Sequence, residues 1–243
     1  MNWGEFEDEI ARRRDAGRPV EFWWRDDDAG AVSPSLKTLV GLSSSRHVPL
    51  ALAVVPHAAE PGLFALLHER VAVIQHGTDH RNRAAAGEKK TEYPAGEPIE
   101  NALARVGSGL GQLRALAGQQ FLPVFAPPWN RMRKDLQKRL PSIGIRGFSG
   151  YGARAGESVP GLKRLNTHVD IVAWKGGRRF IGENAALSLA ARHLAHAGPV
   201  GWLTHHAVHD AAAWKFLERL FTVREIRWLS AAEAFSYTPA AHG

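Results

Sequence analysis

The chain has 243 residues, of which 44% are hydrophobic and 23% charged, and this ordinary globular composition supplies enough apolar side chains for one sizeable core. The formal net charge of +7 comes from scattered basic residues without a long basic run, so we expect a solvated basic surface and no nucleic-acid partner. Cysteine is absent, which excludes disulfides, thiolate metal sites and cysteine nucleophiles.

No stretch of the sequence has the pattern of a targeting or membrane-spanning segment. The first residues, MNWGEFEDEIARRRDAG, are polar and charged and lack the apolar core of a secretion signal. No apolar run approaches the ~20 residues that cross a bilayer. Because no composition shift or repeat divides the chain, we expect one domain over residues 1–243, a cytoplasmic location and no stable membrane insertion. The sequence gives no indication of an oligomeric state.

Short apolar runs alternate with amphipathic segments along the chain. In chain order, the predicted elements begin with a strand over Val20–Trp24, a helix from Ser33-Pro34 to about Arg46, a strand over Leu50–Val55, a short helix over Pro61–Arg70 and a strand over Val71–Gln75. After the polar stretch Arg81–Glu97 come a helix over Ile99–Gly118, a strand over Phe121–Phe125, a helix over Met132–Leu140, and strands over Ile143–Phe148 and Val169–Trp174 around the glycine-rich loop Gly147–Gly161. The last predicted elements are a helix over Glu183–Ala197, a strand over Val200–Leu203, a helix over Asp210–Leu220 and a strand over Glu225–Leu229.

This alternation predicts an α/β fold in which helices cover a parallel sheet, since the strands are apolar throughout rather than at every second residue. Such sheets place their chemistry at the carboxyl ends of the strands. The polar groups of this sequence collect at those ends: Asp26–Asp28, His76–His80, Pro127–Arg131, Asp170 and His205–His206. We therefore expect these groups to share one site.

A candidate metal site combines two histidines with an aspartate. His76 and His80 are four residues apart, a spacing that places both imidazoles on one face of a helical turn. In a chain with 12 histidines such a pair also arises by chance. Asp27 and Asp28 at a strand end strengthen the metal interpretation, because a cation would relieve their mutual repulsion. Two histidines and one carboxylate leave positions on the metal open for water and substrate.

The segments RDDDAG, HGTDH, PPWNR and LTHH follow one another in the order of the polysaccharide deacetylase (NodB-homology) motifs, and the sequence resembles that family from about Glu21 to His206. The family is carbohydrate esterase family four. The resemblance implies a distorted (β/α)7 barrel of about seven parallel strands, in a single polysaccharide-deacetylase-like domain.

The resemblance also implies roles for the first two motifs. Asp27 aligns with the general base and Asp28 with the metal ligand, although the register Asp26/Asp27 is an alternative. His76 and His80 align with the two histidine ligands. Thr78 stands one place away from the family's usual serine or threonine.

The later motifs are less regular. His205 aligns with the general acid, with His206 as the competing choice. Ala126-Pro127-Pro128-Trp129 lacks the arginine that orients the base in the family, and Arg25 and Arg131 are the candidates to replace it. The substrate-binding candidates are accordingly Trp129, Arg25, Asn130, Arg131 and Asp170. Trp129 would stack on a sugar face, with a core position as the alternative; Asp170, with Trp174, corresponds to the acidic motif that tunes the acid histidine. The insert Glu88–Tyr93 is expected to be a surface loop, with a position over the site as the alternative.

The implied function is a metal-dependent hydrolase that removes N-acetyl or O-acetyl groups from a sugar or glycan. Asp27 would take a proton from a metal-activated water and His205 would give one to the leaving amine. One divalent ion is expected, with zinc as the first choice and cobalt, nickel or manganese as alternatives. The competing hypotheses are a hydrolase of another non-peptide C–N bond, an inactive carbohydrate-binding relative and a basic nucleic-acid-binding protein.

Overall fold

A curved parallel sheet surrounds a small core of buried hydrophobic side chains. The structure is a computed structural model and describes residues 1–153 and 158–236. The strands are β1 (Val20–Ala29), β2 (Leu50–Val54), β3 (Val71–His76), β4 (Phe121–Ala126), β5 (Gly147–Phe148), β6 (Lys163–Arg164), β7 (Val169–Asp170), β8 (Val172–Ala173), β9 (Arg179–Phe180), β10 (Val200–Thr204) and β11 (Ile226–Leu229). The helices are α1 (Trp3–Asp15), α2 (Pro34–Arg46), α3 (Pro61–Phe64), α4 (Ile99–Ala117), α5 (Lys134–Arg139), α6 (Glu183–Leu194), α7 (Ala211–Leu220) and α8 (Ala231–Ala234).

The main sheet has the strand order β6-β5-β4-β3-β2-β1-β10-β7, and all of its pairs are parallel. β11 pairs with the first half of β1, and β8 and β9 form a separate antiparallel pair. The two ends of the sheet meet because β6 and β7 belong to one segment, 163–170. Thr167 N donates to Gly150 O at 3.0 Å beyond β5, and Val169 then pairs with Trp202 in β10. Counting this segment once, seven parallel members close the predicted distorted barrel.

The pleat of β1 divides its side chains between two cores. Trp23 lies in the small core inside the barrel, with Ala51, Ala53 and Ile74, whereas Phe22 and Trp24 lie in the larger core between the sheet and the helices. Successive side chains of a strand point to opposite faces. Arg25 therefore follows Trp23 into the barrel, and Asp26 follows Trp24 to the outer face.

α1 was not predicted from the sequence, because its polar composition hides a buried stripe. Trp3, Phe6 and Ile10 recur at helical spacing and are all buried. Asn2 and Glu5 form a capping box that satisfies the first backbone N–H groups of the helix.

Several predicted elements are shorter than expected. α3 ends at Phe64 rather than near Arg70, and the strand predicted over Ile143–Phe148 is limited to β5 because residues 140–143 form a 3-10 turn that ends at Gly144 (φ 92°). The strand predicted over Val169–Trp174 is divided into β7 and β8, since the Asp170 carboxylate accepts the N–H of Val172 at 3.0 Å. The predicted loop Gly147–Gly161 includes residues 154–157, which lie outside the described residues.

Among the residues described, no helix combines the length and the apolar character needed to cross a membrane.

Candidate metal centre and catalytic site

The polar strand ends meet at one edge of the barrel, as the parallel topology requires. β1, β3, β7 and β10 end there, and the turn after β4 lies beside them. This edge brings together nearly all of the site residues expected from the sequence: Arg25, Asp27, Asp28, His76, His80, Trp129, Asn130, Asp170 and His205.

Three side chains converge with the geometry of a metal site. Asp28 Oδ1 lies 3.1 Å from His76 Nε2 and 3.1 Å from His80 Nε2, and one ligand atom from each residue lies within 4.8 Å of the others. Donor atoms that share one ion at about 2.0–2.1 Å lie roughly 3 Å apart. His76 Nδ1 is 3.0 Å from Ala126 O, a contact that leaves Nε2 with the free lone pair. These residues therefore fit a single divalent cation.

A local irregularity of β1 directs Asp28 toward the histidines. The pairing of β1 with β2 shifts register between Asp26 and Ala29, and Asp28 adopts a φ of 69°. A bulge of this kind re-aims a side chain at a strand end. Burial opposes ionisation, but hydrogen bonding with His76 and His80 holds the pKa of Asp28 well below its usual value. His80 also has a left-handed backbone, with a φ of 56°. Non-glycine residues in this region are costly and cluster at functional sites.

Arg25, one of the two arginine candidates, pairs with Asp27. Its Nη2 donates to Asp27 Oδ2 at 2.9 Å, its Nε lies 2.8 Å from Asp27 Oδ1, and both side chains are buried. Nη2 also donates to Asn130 Oδ1 at 2.8 Å, while Nη1 donates to Ser149 O and Oγ at 2.8 and 2.6 Å. The side chain of Arg131 is instead exposed and donates to Lys90 O at 3.2 Å. Of the two candidates, Arg25 is the one paired with Asp27.

His205 lies between two carboxylates. Its Nε2 is 3.9 Å from Asp27 Oδ2, and its buried Nδ1 is 4.0 Å from Asp170 Oδ1. Burial raises the pKa of Asp170, although the neighbouring His205 acts in the opposite direction. Trp174 donates its indole N–H to Asp170 Oδ2 at 2.7 Å and packs edge-on against His205, with ring centroids 4.6 Å apart. Asp170 and Trp174, expected from the resemblance to form the acidic motif, thus lie in one contiguous group of side chains with His205.

Asp26 and His206 form a separate buried pair. His206 Nδ1 is 2.5 Å from Asp26 Oδ1, and Asp26 Oδ2 accepts from Thr204 Oγ1 and His206 N. Burial opposes both charges, yet their attraction lowers the pKa of Asp26 and raises that of His206. The pleat places Asp26 on the outer face, so Asp27 faces Arg25 and His205 while Asp26 ties β1 to β10.

Trp129 borders the metal site without belonging to the core. Its ring packs against His80 with centroids 4.5 Å apart, and Trp129 and Asn130 both have left-handed backbones, with φ values of 54° and 55°. The half-buried indole leaves part of its surface open beside the site.

Glu92 is a site component that the sequence interpretation missed. The segment Glu88–Tyr93 was expected to be a surface loop, but Glu92 and Tyr93 are buried. Glu92 Oε1 accepts the N–H groups of Thr78 (2.9 Å) and Asp79 (3.2 Å), between the two histidines, and Tyr93 Oη lies 3.0 Å from Thr78 Oγ1. The end of this insert therefore holds the HGTDH turn in place through hydrogen bonds to Thr78 and Asp79. No periodicity in the polar stretch marks Glu92.

The HGTDH turn is packed so closely that Gly77 has no room for a side chain. Its φ is 61°, and an added Cβ would lie 2.5 Å from Pro128 Cγ. Only glycine fits a left-handed position with so little room. The glycine in HGTDH was therefore the only feature of this motif that indicated close packing of other residues against the turn.

The fold and the site together define an α/β barrel with a two-histidine, one-carboxylate centre at the carboxyl ends of its strands. No protein-family model matches the sequence, and no curated protein matches it. Solved structures do match: a family 4 carbohydrate esterase from Streptomyces lividans (12% identity, TM-score 0.57, covering 86% of this chain and 91% of that chain) and the polysaccharide deacetylase Bc1974 from Bacillus cereus (14%, 0.57, 93% and 95%). A mutant of BA3943, a pseudoenzyme of the same family with restored activity, also matches (13%, 0.60, 89% and 67%). The chain thus has the polysaccharide deacetylase fold, which confirms the resemblance at the level of architecture.

Proposed function

We propose that this protein is a metal-dependent hydrolase that removes acetyl groups from an N-acetylated sugar or glycan and acts as a single domain. The observation that carries the proposal is the convergence of three networks at one edge of the barrel: the Asp28–His76–His80 trio, the Arg25–Asp27 pair and His205 beside Asp170. Each network supplies one requirement of amide hydrolysis, namely a cation site, a base and an acid.

Asp28, His76 and His80 would hold one divalent ion, with zinc first and cobalt, nickel or manganese as alternatives. When bound, such an ion supplies Lewis-acid activation of a water and of the acetyl carbonyl. The chain itself prepares two of the ligand atoms: the contact of His76 Nδ1 with Ala126 O sets the ring orientation, and the bulge at Asp28 turns its carboxylate toward both imidazoles.

Asp27 would act as the general base. Arg25 holds both of its oxygens within 2.9 Å, so the carboxylate has a defined orientation toward the centre of the barrel. His205 would act as the general acid, because an amine leaves readily only when it is protonated. Its Nε2 faces Asp27 and its Nδ1 faces Asp170, a carboxylate that would stabilise the charged imidazole. Asp26 and His206 bond to each other, which favours His205 over His206 for this role.

The sugar would lie against aromatic surface. Trp129 borders the Asp28–His76–His80 trio and Trp174 borders His205, and the Trp174 residue is 45% exposed. Aromatic faces pack well against the apolar faces of sugars and other amphipathic ligands. Two alternatives remain on the same scaffold, hydrolysis of another non-peptide C–N bond and carbohydrate binding without catalysis. The complete set of metal, base and acid candidates favours an enzyme.

The first experiment measures metal content by elemental mass spectrometry. We expect close to one divalent ion per wild-type chain and its loss in His76→Ala/His80→Ala. A matched control, His193→Ala/His196→Ala, removes two histidines of α6 and the following turn and should retain the ion.

Acetate release from N-acetylated sugars is then measured for the metal-loaded protein. Absence of metal from the wild type, even after incubation with zinc or cobalt, would refute the hydrolase mechanism and favour the binding protein. Metal binding with hydrolysis of other amides, but no acetate release from sugars, would favour the alternative C–N hydrolase.

A further inference from the structure

A pocket of about 430 Å³ opens beside the candidate site and shares its wall. Asn130 and Gly150 line the pocket, and both accept hydrogen bonds from Arg25, at 2.8 and 3.4 Å respectively. Arg25 in turn holds Asp27. A ligand in this pocket would therefore lie one side chain away from the proposed base, and the volume lies in the range of small-ligand sites.

The pocket has an excess of positive charge. Among the described residues that line it, the charged side chains are four cations, Lys89, Arg131, Arg133 and Arg164, and one anion, Glu88. The Arg133 charge is balanced by Asp135, which accepts two hydrogen bonds at 2.7 and 2.6 Å. Arg164 donates to Gln137 at 2.6 Å. Arg133 and Arg164 therefore both have partners of their own.

Lys89 and Arg131 supply the charge that has no opposite partner. Within residues 1–153 and 158–236, no carboxylate pairs with either side chain, and both are exposed. Arg131 Nη1 donates to Lys90 O at 3.2 Å, and Thr91 Oγ1 donates to Arg131 O at 3.4 Å. These bonds tie the segment that bears Lys89 to the segment that bears Arg131, so both cations border one opening.

The pocket also offers a surface for a sugar ring. Tyr151 lines it and is 44% exposed, and it is one of two large exposed hydrophobic residues among those described. An exposed aromatic ring in the same pocket as the two cations Lys89 and Arg131 suits a ligand with an apolar ring face and an anionic substituent. A neutral glycan would have no group that pairs with the charges of Lys89 and Arg131.

From these observations we infer that the substrate carries an anionic group, a phosphate or a carboxylate, which binds Lys89 and Arg131 while the acetylated sugar lies over the metal trio. This inference rests on the proposed deacetylase function and specifies its substrate class. Arginine binds planar oxyanions through two parallel hydrogen bonds, and lysine adds a point charge, so the pair recognises either group.

The test compares kcat/KM for acetate release from three probes: N-acetylglucosamine, N-acetylglucosamine 1-phosphate and N-acetylmuramic acid, which are neutral, phosphorylated and carboxylated. The metal-loaded wild type should prefer at least one charged probe. In Lys89→Gln/Arg131→Gln, the ratio of charged to neutral kcat/KM should fall about tenfold, equivalent to about 1.4 kcal/mol. Lys37→Gln/Lys215→Gln, on α2 and α7, removes the same number of charges outside this pocket; it is the charge-matched control and should keep the wild-type ratio.

The outcomes separate the two proposals. Acetate release with no preference for charge, or a double variant with the wild-type ratio, would overturn the anionic substrate and leave the deacetylase intact. Failure to release acetate from all three probes and from neutral N-acetylglucosamine oligomers would overturn the deacetylase itself. A preference for phosphate or for carboxylate would identify which of the two anionic groups the pocket selects.

Discussion

Replacing Arg25 by glutamine removes the cation that faces Asp27 inside the barrel. Arg25 is 0% exposed and Asp27 is 1% exposed, so water cannot readily replace the lost contacts. The substitution also leaves Asn130 Oδ1 and Ser149 O without the donors that they have in the wild type. Arg25→Gln is therefore expected to be strongly destabilising.

The magnitude follows from the burial of the pair. Breaking a buried ion pair by removing one partner costs about 3–5 kcal/mol. For a chain of this size each kcal/mol corresponds to about 2–4 °C, so Tm should fall by roughly 6–20 °C. Because Asp27 loses the group that orients it, kcat should fall by about 100-fold or more, the usual contribution of a general base.

The assay is a double-mutant cycle of wild type, Arg25→Gln, Asp27→Asn and the double variant, unfolded by urea in the presence of EDTA so that metal binding does not contribute. We expect a coupling free energy of about 2 kcal/mol or more, since the double variant replaces both charges. Arg131→Gln, the other arginine candidate, is the control and should change stability by less than about 0.5 kcal/mol. A coupling energy below about 0.5 kcal/mol would refute the assignment of Arg25 as the partner of Asp27.

Two further predictions concern the support that Glu92 gives to the HGTDH turn and the response of stability to acid. Glu92→Ala removes the acceptor of the Thr78 and Asp79 N–H groups and should lower zinc affinity about 10–100-fold in a chelator competition. Glu92→Gln keeps an acceptor oxygen and should bind zinc nearly as the wild type does. Equal zinc affinities of the Glu92→Ala variant and the wild type would contradict this role. Burial lowers the pKa of both His168 and His209 to about 4, so between pH 6.5 and 4 the unfolded chain binds more protons and the free energy of unfolding falls as the pH falls. His168→Asn preserves an acceptor for Gly201 N. Between pH 7 and 4 its free energy of unfolding, measured in urea, should fall by about 2 kcal/mol less than that of the wild type; an unchanged pH dependence would contradict the role of His168.

The order of elements and the location of the site could be predicted from the sequence alone. Apolar runs alternating with amphipathic segments indicate a parallel sheet, and such a sheet gathers the residues that follow its strands at one edge. His76 and His80 are four residues apart, and Asp28 lies at the end of a strand, so their convergence depends mainly on local structure and strand direction. α1 escaped prediction because charged residues surround its three buried side chains.

Only the tertiary structure decided which of the three consecutive aspartates faces which partner. The strand pleat sends Asp26 outward to His206 and Asp27 inward to Arg25, and the bulge then turns Asp28 toward the histidines. A shift of one residue exchanges the faces of a strand, and nothing in the letters DDD specifies where the bulge falls.

The same limit applies to partners that are distant in the chain. Ser149 and Asn130 contact Arg25 although each is more than 100 residues away in the chain, and Glu92 contacts the HGTDH turn from an insert without periodicity. Sequence periodicity reports local geometry and the face that a residue presents, whereas these contacts depend on how separate strands and loops are brought together when the barrel closes.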